Sequence, residues 1–126
     1  MMQESPFKGE RGVRRLVNAL RYSLQGLAAA FRHEEAFRLE LSFAVVLVPA
    51  AFFVPVGGTA RALMIASVLL VLVIELVNSA LEAAVDRISL ENHLLAKRAK
   101  DLGSAAVFLS LANAAAVWFL VLSDLV

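Results

Sequence analysis

Five polar residues recur at helical spacing inside an otherwise apolar segment: Glu75, Asn78, Ser79, Glu82 and Asp86. A helix turns by roughly 100° per residue, so all five fall within about 100° of one another. The other faces carry Leu76, Val77, Ala80, Leu81, Ala83, Ala84 and Val85. The result is a carboxylate-rich stripe along an apolar helix. Three kinds of chemistry suit it: a buried general base, oxygen ligands for a hard cation, or hydrogen-bonded glue between helices.

The rest of the composition narrows the choice. With 126 residues the chain is one domain, and 60% of it is apolar, more than an ordinary soluble domain carries. There is no Cys, so disulfides and thiolate metal sites are excluded, and only two His are present, which does not favour a His-based zinc site. Carboxylates are the metal ligands available, and they favour ions such as magnesium. A net charge of +1 gives no reason to expect nucleic-acid binding.

Four elements must position the stripe. Val13, Leu16, Val17, Leu20, Leu24, Leu27 and Phe31 recur at spacings of three and four, which predicts an amphipathic helix over 13–33. Arg14, Arg15, Asn18, Arg21 and Gln25 lie off that stripe, as suits a helix resting on an anionic leaflet or on the protein's own core. Charges interrupt this segment, so it does not read as a cleavable signal peptide. Arg32-His33-Glu34-Glu35 is a charged hinge. The segment 36–56 is the first membrane helix, with Pro49 and Pro55 tolerable there. Gly57-Gly58-Thr59 is a turn. The segment 60–88 is the second membrane helix. At ~1.5 Å per residue it is ~43 Å long, more than the ~30 Å hydrocarbon core, so its carboxylate end must emerge. Ser89 to Leu102 reads as a polar connection, and 103–122 as the third membrane helix. Trp118 falls near its end, a usual interfacial place, and Asn113 inside it reads as glue between helices.

Charge sets the orientation. Of twelve Lys and Arg residues, all but Arg61 lie before the first span or between the second and third. The positive-inside rule makes that side cytoplasmic, with the N-terminus in.

Depth gives the stripe its meaning. Glu75 lies ~22 Å from the outer end of its helix, inside the hydrocarbon, and Glu82 lies ~10 Å further on, at the headgroups. A carboxylate at the depth of Glu75 costs a few kcal/mol unless it faces a cavity or a partner. The stripe joins two phases, its inner end placed to meet a lipid hydroxyl at headgroup depth and its outer end a water-soluble reactant. Glu34 and Glu82, with Lys100 opposite, are able to hold a metal-bound polyphosphate. Spacing alone leaves catalysis, subunit assembly and an ion path all open. No Gly-rich phosphate loop and no soluble-kinase motif is present.

Two motifs go further. Glu75-Leu-Val-Asn78-Ser79-Ala-Leu-Glu82-Ala-Ala-Val-Asp86-Arg87 resembles the signature of the prokaryotic diacylglycerol kinase family. Ala96-Lys97-Arg98-Ala99-Lys100-Asp101-Leu102-Gly103-Ser104-Ala105-Ala106 resembles its second motif, and Tyr22-Ser23 with Glu34 to Glu40 its N-terminal region. The likeness covers about residues 13 to 122. It implies an all-α integral membrane fold, a homotrimer of three-span subunits with an N-terminal surface helix, in the bacterial inner membrane. It implies transfer of the ATP γ-phosphate to diacylglycerol, with Mg2+, at sites shared between subunits.

Carried over by position, the resemblance makes Glu75 the general base, supported by Asn78, and Glu34 and Glu82 the magnesium ligands. Glu34 and Glu82 would also bind ATP, together with Arg15, Tyr22, Asp86, Glu91, Asn92, His93, Lys100 and Asp101. Arg38, Glu40, Glu75, Ser104 and Trp118 would meet the lipid. Leu24, Gln25 and Asn92 depart from residues common in close relatives. Undecaprenol kinases share the family and are the alternative substrate reading. A non-enzymatic assembly or ion-path subunit is the alternative of another class.

Overall fold

The computed structural model describes residues 8–88 and 93–126. It is built of helices, with no strand among the described residues: α1 (Lys8–His33), α2 (Glu35–Phe53), α3 (Gly58–Ile88) and α4 (Leu94–Ser123). The expected all-α membrane fold is observed, since α2, α3 and α4 are each long and apolar enough to cross a bilayer.

The junctions explain where the helices start and stop. Glu34 is the one non-helical residue between α1 and α2, at φ −115° and ψ 105°. The chain bends there without losing its hydrogen bonds. The Glu34 amide donates to Ala30 O at 2.9 Å, and the Arg38 amide to Glu34 O at 3.1 Å. The Arg38 guanidinium then closes the bend, with Nη1 donating to Phe31 O at 2.9 Å and to Arg32 O at 3.2 Å. These are carbonyls that the end of α1 would otherwise leave open.

At the far end, α2 stops at Phe53, short of the Val56 suggested by hydropathy. Val54 precedes Pro55, whose ring disfavours helical backbone in the residue before it, and Val54 is extended at ψ 132°. Arg61 of α3 ties down the freed end. Its Nε donates to Ala51 O at 3.1 Å, and its Nη2 to Val54 O and Val56 O, both at 3.1 Å. The single basic residue on this side is thus engaged with backbone.

The connection before α4 is shorter than the sequence suggested. The helix begins at Leu94 rather than near Gly103, and only Ser89 to Asn92 lie outside the described residues. The His93 side chain supplies the cap, its Nδ1 accepting from the Leu95 amide at 3.1 Å. Lys97 and Asp101, one turn apart, pair at 2.7 Å and support the polar first turns.

α3 is the central element and packs most extensively on α4, then on α2. Its buried residues, Met64, Ser67, Val68, Val71, Glu75 and Asn78, recur at three and four and form one face. Facing them are Phe37, Ala44 and Ala51 of α2 and Gly103 and Ser110 of α4. Small residues at these crossings let the helix backbones approach. Outward faces carry large apolar side chains such as Phe43, Phe52, Phe108 and Phe119.

Candidate active site

The face of α3 that begins with Met64 and Val68 ends with the polar stripe, so packing places the carboxylates. Glu75 is only 6% exposed and Asn78 9%. Ser79 and Glu82 are half-buried, and Asp86 at the emerging end is exposed. Glu34, in the bend between α1 and α2, is half-buried as well. Glu34 and Glu82 both lie near Glu75, and Glu75 lies near Glu40 of α2. Four carboxylates from the hinge, α2 and α3 therefore share one region. Among the described residues Glu75 takes part in no salt bridge.

Amide and ammonium groups border this region. Asn78 Nδ2 donates toward Glu82 Oε1 at 3.4 Å, one helical turn on. Lys100 Nζ of α4 meets Asp86 Oδ1 at 2.6 Å, so the start of α4 is anchored beside the end of the stripe. Lys100 lies ahead of the membrane-spanning part of α4, and its hydrogen bond to Asp86 pushes its pKa above the ordinary lysine value. Beside the stripe runs an open cleft of about 590 Å³ between α1 and α3. Ser23, Gly26, Ala30 and Glu34 line one wall, and Leu76, Ser79 and Ala80 the other. It is mostly apolar with a carboxylate at its edge, a shape that admits an alkyl chain ending in a polar head.

Several expected site residues have other partners within the chain. Asp101 is paired with Lys97, and His93 caps α4 through Nδ1. Arg38 holds the end of α1, and the Trp118 indole N–H donates to Met64 O at 3.1 Å, joining α4 to α3. Met64 precedes Glu75 by eleven residues, roughly 16 Å along the axis, so Trp118 stands far from the carboxylates. Glu40 is half-buried, with Oε2 enclosed and lacking a hydrogen-bond partner among the described residues. Arg15 and Tyr22 are exposed on α1 and form no hydrogen bond with α3 among the described residues. Ser104 is exposed on α4. Glu91 and Asn92 lie outside the described residues.

One contributor was missed. Gly103 of α4 stands directly against the Asn78 carboxamide. An isolated glycine within a helical pattern was the available signal, since it marks a place where a backbone must come close.

No set of three or more His, Asp or Glu side chains able to hold an ion occurs among the described residues. Besides Glu40 on α2, the carboxylates near Glu75 are Glu34 and Glu82 toward the emerging end of the stripe. That set fits a hard cation that keeps several waters and takes its remaining ligands from a phosphate substrate.

Comparison with known proteins bears on the same residues. A family model described as prokaryotic diacylglycerol kinase matches residues 21–122. A diacylglycerol kinase of Pseudomonas aeruginosa is 54% identical over 121 residues, covering 96% of this chain and 98% of that protein. One from Haemophilus influenzae is 50% identical, covering 85% of this chain and 91% of that protein. One from Escherichia coli K12 is 44% identical, covering 88% and 91%.

Proposed function

The chain belongs to the prokaryotic diacylglycerol kinase family and is a membrane-embedded lipid kinase, and we propose that it moves the γ-phosphate of ATP directly onto the hydroxyl of diacylglycerol. The observation that carries the mechanism is the position of Glu75. It is a buried carboxylate without a salt-bridge partner among the described residues, next in sequence to Leu76 of a cleft shaped for a lipid, and one turn from Asn78 and two from Glu82.

In this reading the lipid enters between α1 and α3 with its hydroxyl at Glu75. The hydroxyl oxygen forms a bond to the γ-phosphorus as the bond to the bridging oxygen of ADP breaks. The hydroxyl proton passes to the Glu75 carboxylate. Asn78 steadies the reacting groups. Lys100, aimed by Asp86, neutralises charge on the phosphates. Glu34 and Glu82 would hold Mg2+, which would supply neutralisation of the polyphosphate charge. No side chain forms a phospho-enzyme, and positioning with electrostatics supplies the rate.

The charge distribution supports an inner-membrane protein with a cytoplasmic N-terminus, which puts the stripe's outer end where ATP is. Three copies of the chain form the working unit. Asn113 supports this, because it is exposed on a single chain although it lies within a membrane helix. Ala105, Ala106, Ala112, Ala115 and Ala116 are exposed on α4 as well, a surface open to close packing by a neighbouring copy. Membership of a kinase family removes the reading as a non-enzymatic assembly or ion-path subunit.

The test is phosphate transfer by the purified full chain in lipid micelles with ATP and Mg2+, diacylglycerol and undecaprenol being supplied separately. Faster transfer to diacylglycerol is the expected result. Faster transfer to undecaprenol would keep the mechanism and replace the substrate. Loss of activity on chelation, restored by Mg2+, checks the metal.

A further inference from the structure

The two ends of the Asn78 carboxamide are treated differently. Its Nδ2 faces Glu82 Oε1 at 3.4 Å. Its Oδ1 is buried and meets no N–H or O–H donor among the described residues. A buried carbonyl oxygen without a partner is costly, more so within a bilayer, so what it does face matters.

It faces Gly103. A Cβ placed on Gly103 would overlap Asn78 Oδ1, and would lie 3.1 Å from both Asn78 Cγ and Leu81 Cδ2. At Gly12, Gly26, Gly57 and Gly58 the same Cβ would meet nothing within 4 Å, so among these five glycines the requirement is particular to Gly103. The hydrogen that glycine carries in the Cβ position therefore points at the oxygen. That is the arrangement of a Cα–H···O contact, a weak bond known where helices cross closely.

We infer that Gly103 is a positioning residue for phosphoryl transfer, its bare Cα seating the Asn78 carboxamide so that Nδ2 is held toward Glu82. The inference rests on the catalytic reading above and adds to it a residue on α4. The contact selects one of the two carboxamide orientations. Turned over, Asn78 would set its oxygen against the Glu82 carboxylate and its NH2 against a C–H group, losing the bond and adding repulsion. Gly103 thus acts through Asn78 on Glu82, and ties the orientation of a phosphate-side carboxylate to the docking of α4 on α3.

Gly103→Ala separates this role from helix formation. Alanine is the better helix former, so a loss on substitution does not come from propensity. The added methyl must displace the Asn78 carboxamide, the end of a short side chain, from the seat in which Nδ2 faces Glu82.

The experiment compares the full chain with G103A, N78A and N78A/G103A in lipid micelles. Turnover and lipid KM are measured. Mn2+ binding in the presence of a non-hydrolysable ATP analogue is followed by electron paramagnetic resonance, a readout independent of turnover. G103A is expected to lower kcat on the order of 10- to 100-fold and to weaken Mn2+ binding about 10-fold, with lipid KM within about twofold. On the N78A background the same methyl is expected to change each value by less than about twofold, because the group it displaces is gone.

Unchanged Mn2+ binding and kcat in G103A overturn the inference, as does a full second loss when G103A is added to N78A. If G103A fails to fold by circular dichroism, N78A/G103A decides. Folding at the level of N78A supports the seat, and equal misfolding overturns it. Wild-type transfer to diacylglycerol is read in the same assay. Its absence overturns the catalytic reading, whereas wild-type transfer with an indifferent G103A overturns only the role of Gly103.

Discussion

Asp86 near the end of α3 and Lys100 in the second turn of α4 are joined at 2.6 Å, across a connection of only a few residues. Their side chains are 60% and 42% exposed, so the pair adds little to stability. Its effect is on aim, because it fixes an ammonium group next to a row of carboxylates. Lys100→Met is therefore expected to lower kcat on the order of 100-fold, as loss of a charge stabiliser does, with the fold intact by circular dichroism. Asp86→Ala should cost about 10-fold by letting Lys100 wander. The two losses should not add, since Asp86 works through Lys100. Additive losses in steady-state kinetics would show that each acts alone.

Glu75 differs from the other carboxylates of the stripe in being buried on the packed face of α3 rather than standing at the emerging end. Glu75→Gln keeps the shape and removes the proton acceptor. Turnover should fall by about 10²- to 10⁴-fold, while nucleotide binding by calorimetry and oligomeric size stay near wild type. A variant that keeps most of its activity would sink the assignment of Glu75 as base.

Arg38 and Glu34 are coupled through the bend that contains them both. The Arg38 guanidinium holds two carbonyls at the end of α1, and Glu34 is the residue about which the chain turns. A charged donor to a carbonyl is worth about 1.5–3 kcal/mol, so Arg38→Ala should raise amide exchange at the end of α1 by about 10-fold or more. It should also weaken metal binding through Glu34. Arg38→Lys, with a point charge in place of a fork, should fall between. Unchanged exchange over residues 27–36, with a raised lipid KM, would move Arg38 from the bend to the lipid.

These relationships mark the limit of what the sequence carried. The spans and the stripe were legible because apolar length and a 3.6-residue period are local properties. The end of α2 was misplaced because hydropathy runs through Val54, whereas backbone sterics before Pro55 stop the helix there. The start of α4 was misplaced because its first turns are polar, and a His cap with a Lys97–Asp101 pair makes a helix without an apolar face. The clustering of Glu34, Glu40, Glu75 and Glu82 needed the packing of three elements. The partners of Arg38, Arg61 and Trp118 are backbone carbonyls, which leave no mark in side-chain patterns.

Trp118 offers the sharpest choice between a structural and a substrate role. Its indole N–H donates to Met64 O at 3.1 Å, and the Ser67 hydroxyl donates to the same carbonyl at 2.8 Å. Trp118→Phe keeps the ring against α3 and removes one of two side-chain donors, so Met64 O stays satisfied. Interhelical hydrogen bonds within membranes average about 0.6 kcal/mol, and the loss should be of that size rather than the cost of an orphaned carbonyl. Thermal unfolding in micelles should shift down by a few degrees, with lipid KM and kcat within about twofold. Ser67→Ala alone should behave similarly. The double variant should lose about the sum of the two, because Met64 O keeps the intrahelical bond from the Val68 amide. An unshifted melting curve with a lipid KM raised several-fold would instead place Trp118 on the lipid path. Its contact with Met64 would then be incidental to packing.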